Sequence, residues 1–415
     1  MNPIEKILRE YQLDARKLSR LFDNSLFINK KLLKKINKLP IKKLRRINEN
    51  TIVAKELIIL FLTNFNGTYY RSLNTKDPYI KKGFTQLSSK KLESHIHKNY
   101  SKIIELLVQQ GIIIKGRNYI AEKRCNEYRL NVNYFNLKFY EYTPKTDLLI
   151  RKVQKRNLIL LTQAVHNPIA RNHLKNLSKI ELPSRNRIEK KLIEVAKNGY
   201  TNKKGKTLKK LGKKKREKRF VYVEDYLDIF DYLTKDYLIP IISANAGGRV
   251  YTSLNLLPSL IKAELRLVEV DYSCLHPNLA NKIYGVTGKS ITHDIVAKYL
   301  GIERKDAKIE HLSFFNKNFL GMKHSLLFQY YMKEESEMMD NIINEKKEKG
   351  YKETSLKLFT LETKIMTEVL QQLKENGIFA IYNFDAYLVD PKDVEKTKEI
   401  MDAVLKEFGV NTVAK

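Results

Sequence analysis

Residues Asn376 to Asp393 read NGIFAIYNFDAYLVDPKD. Ile378, Ala380 and Tyr382 alternate into Asn383-Phe384-Asp385, and Tyr387 to Val389 run back out. Apolar alternation of period two on both sides of a short Asp-bearing turn predicts an antiparallel hairpin with Asp385 at its tip. Well upstream, Arg266 to Leu279, RLVEVDYSCLHPNL, runs a second alternating strand into another carboxylate, Asp271, before His276 and Pro277. Two carboxylates at neighbouring strand ends can hold two Mg²⁺ roughly 3.5 to 4 Å apart. Taken singly, each is also explained as an ordinary strand-end or turn aspartate.

The whole chain is strongly basic, with 78 Lys and Arg against 46 Asp and Glu and a formal charge of +32. Such an excess points to a polyanionic partner, nucleic acid first; a Lys-rich genome is the plain alternative. At 415 residues and 43% hydrophobic the chain has room for two or three domains with proper cores, given roughly 100 to 200 residues per domain. No apolar run is long enough for a membrane span. The start, MNPIEKILREYQLDARKLSRLF, is charged throughout and lacks the apolar core of a signal peptide, which reads as cytoplasmic. Cys125 and Cys274 are too few and too far apart for a disulfide framework or a multi-cysteine zinc site.

The chain divides by pattern into four parts. Residues 1–50 read as a basic helical arm, KKLLKKINKLPIKKLRRINEN, broken at Pro40. In residues 51–145, SSKKLESHIHK precedes an amphipathic helix with Ile103, Ile104, Leu106 and Leu107 on one side and Gly111 as its stop. Two strands follow, with a turn at Gly116 to Asn118. Helix, helix, hairpin is the order of a winged helix, which makes Ser101, Lys102, Lys115, Arg117 and Arg124 candidate phosphate contacts. A small α+β support domain is the competing reading. Residues 146–244 read as a helical, thumb-like region carrying a Lys-rich loop at 203–219, KKGKTLKKLGKKKREKR. That loop is either a disordered tether or a salt-dependent backbone contact. Residues 245–415 hold the candidate chemistry.

Between the two aspartates, THDIVAKYLGIERKDAKIEHLSFFNKNFLG places Arg304 and Lys308 one turn apart on a helix face that Leu312 and Phe315 would continue. Two cations beside apolar side chains suit a triphosphate and its base. The motifs fall in a set order: Gly247-Gly248-Arg249 with a Leu257-Pro258 loop, a strand with Asp271-Tyr272-Ser273, a helix with Arg304 and Lys308, a Glu-bearing helix, then Asp385 in a β-turn. Over about residues 245 to 415 this order resembles the palm and fingers of family A polymerases, the DNA polymerase I class, and their single-subunit RNA polymerase relatives.

The resemblance implies an α+β right-hand polymerase core: an antiparallel palm sheet with helical fingers and a thumb-like region, behind the winged-helix-like domain. Asp271, with the Tyr272 carbonyl, and Asp385 then match the metal ligands for two Mg²⁺, with Mn²⁺ an admissible substitute. Arg304 and Lys308 match the pair that grips the incoming nucleotide's phosphates. His293 or Thr292 falls at the histidine position heading that region. Arg249, after Gly248, matches the Gly-Arg motif near the primer terminus. The implied partners are a DNA or RNA primer-template and nucleoside triphosphates.

Departures from the family pattern leave the sugar open. His276 stands where the DNA polymerases carry a ribose-screening Glu. Phe384 and Ala386 flank the second aspartate, Leu312 replaces the base-stacking aromatic, and Asn316 replaces a Tyr. The expectation is DNA-directed DNA synthesis in a phage, plasmid or other mobile element. RNA synthesis or priming, a catalytically inactive DNA-binding replication or regulatory protein, and a metal-dependent nuclease remain the alternatives. Proofreading is not expected, because residues before 245 carry no visible acidic cluster at metal spacing.

Overall fold

The computed structural model of the protein describes residues 2–73, 77–121, 124–136, 138–201, 207–208, 216–234 and 239–415, and most of the Lys-rich loop lies outside them. The protein is α+β, helix-rich with small antiparallel sheets. It divides into two compact units, Met1–Thr162 with Phe220–Tyr237, and Gln163–Arg219 with Leu238–Lys415. Among the described residues no helix is long and apolar enough to cross a membrane.

The first unit is built around α1 (Thr51–Leu62), TIVAKELIILFL, which follows the short strand β1 (Leu26–Asn29). Asn50 caps α1 by accepting from the Ile52 and Val53 amides. Leu57 to Leu62 are all buried, as expected of a helix that is apolar all round. The basic arm is not solvated on every side: Leu32, Ile36 and Leu44 enter the same core, while Lys34, Lys38 and Lys42 are exposed and Lys35 and Lys43 half-buried.

Next come β2 (Thr85–Leu87), α2 (Ser89–His95), α3 (Tyr100–Gln109), β3 (Ile113–Lys115), β4 (Asn126–Leu130), β5 (Phe139–Tyr142) and α4 (Asp147–His166). Ile103, Leu106 and Leu107 of α3 are buried, and Gly111 ends that segment with φ of +63°, a value glycine reaches at little cost. The expected strand pair is present as β3 and β4, but the antiparallel pairing runs on to Ile120 and Arg124, so the chain does not reverse at Gly116 to Asn118 as expected; β4 is central, with the unforeseen β2 on its other side. β1 pairs with β5. The buried Glu56 of α1 accepts from the Tyr142 hydroxyl (2.9 Å), the Thr146 amide (3.1 Å), the Lys145 amide and the Thr146 hydroxyl, which fixes where α4 begins.

In the second unit, α5 (Pro168–Asn176) precedes the two-strand pairs β6 (Tyr200–Thr201) with β7 (Thr207–Leu208), and β8 (Ile241–Ser243) with β9 (Arg249–Tyr251). Then follow β10 (Val268–Asp271), α6 (Leu275–Tyr284), α7 (His293–Leu300), α8 (Arg304–His311), α9 (Leu327–Glu334), α10 (Ser336–Lys349) and α11 (Glu353–Glu375). The hairpin β11 (Ala380–Asn383) and β12 (Ala386–Val389) and the helix α12 (Val394–Glu407) close the unit. The antiparallel sheet has the order β10-β12-β11, so the late hairpin folds back onto the earlier strand. Two buried hydroxyls tie it to helices: Tyr387 donates to the Met366 carbonyl of α11 at 2.6 Å, and Tyr272 to the Met401 carbonyl of α12 at 3.0 Å. The Asn172 amide of α5 donates to the Ala380 carbonyl at 3.0 Å.

Candidate active site

The register of the sheet sets the two aspartates side by side. Asp271 pairs with Ala386, the residue after Asp385, and Asn383 pairs with the same Ala386 from the other strand. The Tyr272 amide lies 3.4 Å from the Asp385 carbonyl. A two-residue hairpin turn requires φ above zero at its first residue, ordinarily a glycine. Here that residue is Phe384, at φ +63°. A bulky side chain in this region costs about 1–3 kcal/mol and persists only where surroundings over-determine it. Tyr251 and Tyr382 cage the ring edge-on at 5.5 and 6.2 Å, and the Arg249 guanidinium stands 5.5 Å from its centre. Buried Asn383 braces the turn, donating to Glu269 at 2.8 Å and accepting from Lys262 at 3.0 Å.

Asp385 is partly buried, and its pKa is pushed up to about 6, first by burial, then by Glu362, with Asp271 adding to the rise while His276 and Arg249 oppose it. Asp271 Oδ1 is buried without a hydrogen bond. The Lys415 ammonium lies 3.3 Å away, close enough for attraction but not aligned as a donor. A divalent cation would satisfy both acids, so this pair fits a magnesium that keeps most of its waters. Among the described residues no group of three or more His, Cys, Asp or Glu is placed to hold a metal ion, so the fit rests on the two carboxylates.

Beside the pair lies a cluster that the sequence motifs named only in part. Glu362 of α11 is fully buried and receives Arg249 as a two-pronged fork, Nε to Oε1 at 2.6 Å and Nη2 to Oε2. His276 Nε2 reaches Oε2 of the same carboxylate at 2.7 Å and stands 3.2 Å from Arg249 Nη2. Burial alone would raise the Glu362 pKa, but the His276 and Arg249 contacts outweigh it and hold the carboxylate below the usual range. Burial likewise works against the Arg249 charge, and Glu362 more than compensates. The guanidinium also lies 3.8 Å over the Phe359 ring.

Glycine makes this alignment possible. A Cβ on Gly247, at φ +60°, would fall 2.3 Å from the Thr360 amide nitrogen and 2.5 Å from the Phe359 carbonyl carbon. The backbone that approaches the Gly-Gly turn is therefore α11's own, and Arg249 emerges opposite Glu362. Glu362 itself was legible in one way: it interrupts the apolar stripe Leu358, Ile365, Met366, Val369 and Leu370. A charged residue on a core-facing stripe needs a buried partner.

The two cations of the expected nucleotide helix sit on α8, but the helix stops at His311. Leu312 is exposed at its end, while Phe315 turns inward with Phe314 onto Tyr331. The expectation that Leu312 and Phe315 continue one helical face is thus corrected: the helix ends before Leu312, and Phe315 lies in a separate short 3-10 turn, Phe314–Asn316. Arg304 is exposed and paired with Asp294 at 2.9 Å, whereas Lys308 is half-buried. Thr292 caps α7, accepting from the Ile295 amide, and His293 is buried with its Nδ1 3.0 Å from that of His311. His311 Nε2 in turn meets the Tyr331 hydroxyl at 2.7 Å. Burial, then Lys308, Arg304 and Lys415, push the His293 pKa down to about 4, so it is neutral. Burial raises the Cys274 thiol to about 11 against the pull of Lys415 and Arg304. Arg304 and Lys415 thus act on both Cys274, three residues past Asp271, and His293, and Lys308 acts on His293.

In the first unit the expected phosphate contacts divide. Ser101 and Lys102 on α3 and Lys115 on β3 are exposed. Arg117 is spent internally, forked onto Glu127 at 2.7 Å and stacked 3.7 Å over Tyr79. Arg124 donates to the Asn118 carbonyl at 3.1 Å. No protein-family model and no curated protein sequence matches the chain.

Proposed function

We propose that the protein is a template-dependent nucleic acid polymerase, a nucleotidyltransferase that extends a primer on DNA with dNTPs. The observation that carries this reading is the strand register that sets Asp271 against Ala386 and so beside Asp385, with Arg304, Lys308 and Lys415 acting on the adjoining ground. Bound Mg²⁺ would lower the pKa of an attacking 3′-hydroxyl and neutralise the leaving pyrophosphate. Asp271, Asp385 and the Tyr272 carbonyl would hold it. Arg304 and Lys308 would take the triphosphate charge, with Arg304 exchanging Asp294 for phosphate. Glu362 would act through others, fixing Arg249 and His276 beside the carboxylates. The α10-to-α12 stretch with its sheet is the palm in this reading, and β2, α2, α3, β3 and β4 form a winged-helix-like module.

The experiment is primer extension with Mg²⁺ on a primed DNA template. Wild type extends; Asp271→Ala and Asp385→Ala each lose about a thousandfold or more, as expected when several kcal/mol of charge stabilisation is removed. A folded wild-type protein that binds primer-template and never extends it ends the reading, and shortening of the primer would make it a nuclease. One observation favours RNA synthesis as the second reading: His276, at the sugar-screening position, is drawn onto Glu362 and Arg249. Incorporation of rNTPs against dNTPs on one template decides between the two.

A further inference from the structure

The strand that delivers Asp271 has a neighbour on the side away from β12. After α12 the chain returns, and Val413 to Lys415 run antiparallel along the end of β10. The Ser273 amide donates to the Val413 carbonyl at 2.8 Å, and Tyr272 faces Ala414. Asp271 and Lys415 exchange both main-chain bonds, at 3.0 and 3.3 Å. Three further contacts pin the segment. The Ala414 amide donates to Asp402 Oδ1 at 2.7 Å, the Thr412 hydroxyl to the Ser273 carbonyl, and the Asn411 side-chain amide to the Gly288 carbonyl at 3.1 Å. Two residues that exchange both bonds of an antiparallel pair carry their side chains on the same face. The Lys415 ammonium accordingly stands 3.3 Å from Asp271 Oδ1, the buried oxygen that no hydrogen bond satisfies. Strand register places this cation, rather than the reach of a free lysine.

Such a pair can be exchanged. Both side chains keep partial access to water, 27% for Asp271 and 44% for Lys415, and an ion pair so placed is worth little. A divalent cation brings twice the charge to the same oxygen and binds the carboxylate directly. We propose that Lys415 is the resident counter-ion of Asp271 and competes with the divalent cation for Oδ1. The cation binds by displacing the ammonium, while the main-chain pairing of Val413 to Lys415 stays in place. At low divalent-cation concentration the protein's own lysine holds the site, which sets a threshold for loading it. This inference rests on the reading of Asp271 and Asp385 as a cation site and needs neither nucleotide nor nucleic acid.

The test titrates Mn²⁺ into the metal-free full chain and counts the free ion by electron paramagnetic resonance, with no substrate present. K415Q removes the charge and keeps the main-chain pairing. It binds Mn²⁺ about tenfold tighter than wild type, the order expected when one unit charge a few ångström away is removed in a half-solvated setting. K415M, uncharged and of similar length, shows the same gain. The conservative K415R stays near wild type, which a purely structural role for the side chain would not require. D271N weakens binding, and K415Q adds nothing in the D271N background, because the two side chains then have nothing to compete over. Equal or weaker Mn²⁺ binding in both K415Q and K415M overturns the proposal, as does a gain in K415Q that persists beside D271N. If wild type and all variants fail to bind Mn²⁺, the cation-site reading itself falls and this inference with it. Saturable binding that D271N weakens but K415Q leaves unchanged sinks the role of Lys415 alone.

Discussion

Two acids a short distance apart in the second unit have opposite fates. Glu362 is fully buried yet held ionised, because a guanidinium fork and an imidazole converge on its oxygens. Asp385 is less enclosed, receives no side-chain hydrogen bond among the described residues, and has its pKa raised to about 6. Burial acts in the same direction on both, so the number of donors decides the outcome. A satisfied buried acid is a brace, and one left short of donors beside a second carboxylate is a place for an external cation.

Removing the brace should cost most. Glu362→Ala leaves the Arg249 charge buried and unpaired, a loss of about 3–5 kcal/mol in urea unfolding. If Glu362→Ala unfolds at the wild-type midpoint, the brace is not structural. Closing the approach that aligns the fork comes next. Gly247→Ala drives a Cβ into the α11 backbone and forces a side chain into positive φ, at a cost of roughly 2 kcal/mol or more. A wild-type melting temperature in that variant would mean that α11 and the Gly-Gly turn separate freely.

The strand ends should respond to pH and cation instead. Asp385 binds its proton more tightly folded than unfolded, so below pH 4 both forms are protonated and no penalty exists. The penalty grows as pH rises through about 6 and is complete above it. In chelator, thermal stability should therefore fall over that window, and Asp385→Asn should flatten the fall. Saturating Mg²⁺ should return about 1–3 kcal/mol near neutral pH and less near pH 5. Equal Mg²⁺ effects at both pH values would separate the cation from Asp385. The smallest effect is expected from His276→Ala, which leaves the Arg249 fork intact and removes one hydrogen bond, about 1 kcal/mol. Its sharper readout under the proposed function is a changed ratio of rNTP to dNTP incorporation.

Both aspartates and their strands were legible because period-two alternation is local and the acids interrupt it at the ends. The strand β2 was not: Thr85 to Leu87 is too short to show a period, and its partner β4 lies far along the chain. The end of α8 was also missed, since nothing like a glycine or proline marks it. Just past it, Phe314 and Phe315 sit in a separate short turn packed on Tyr331, which belongs to another element. Arg249 and His276 were singled out, but their common partner was not, because Glu362 reads as one more acid on a mixed helix until its stripe is traced.

By itself the sequence determined the alternation that makes the late hairpin, the two acids at strand ends, the amphipathic helices and a charge suited to a polyanion. Those properties depend on neighbours within a few residues or on simple sums. Only the tertiary structure decided which acid is braced and which is left unsatisfied. Hydrogen-bond donors to Glu362 arrive from β9 and α6, across long stretches of chain, and desolvation is set by whatever packs around a carboxylate in space.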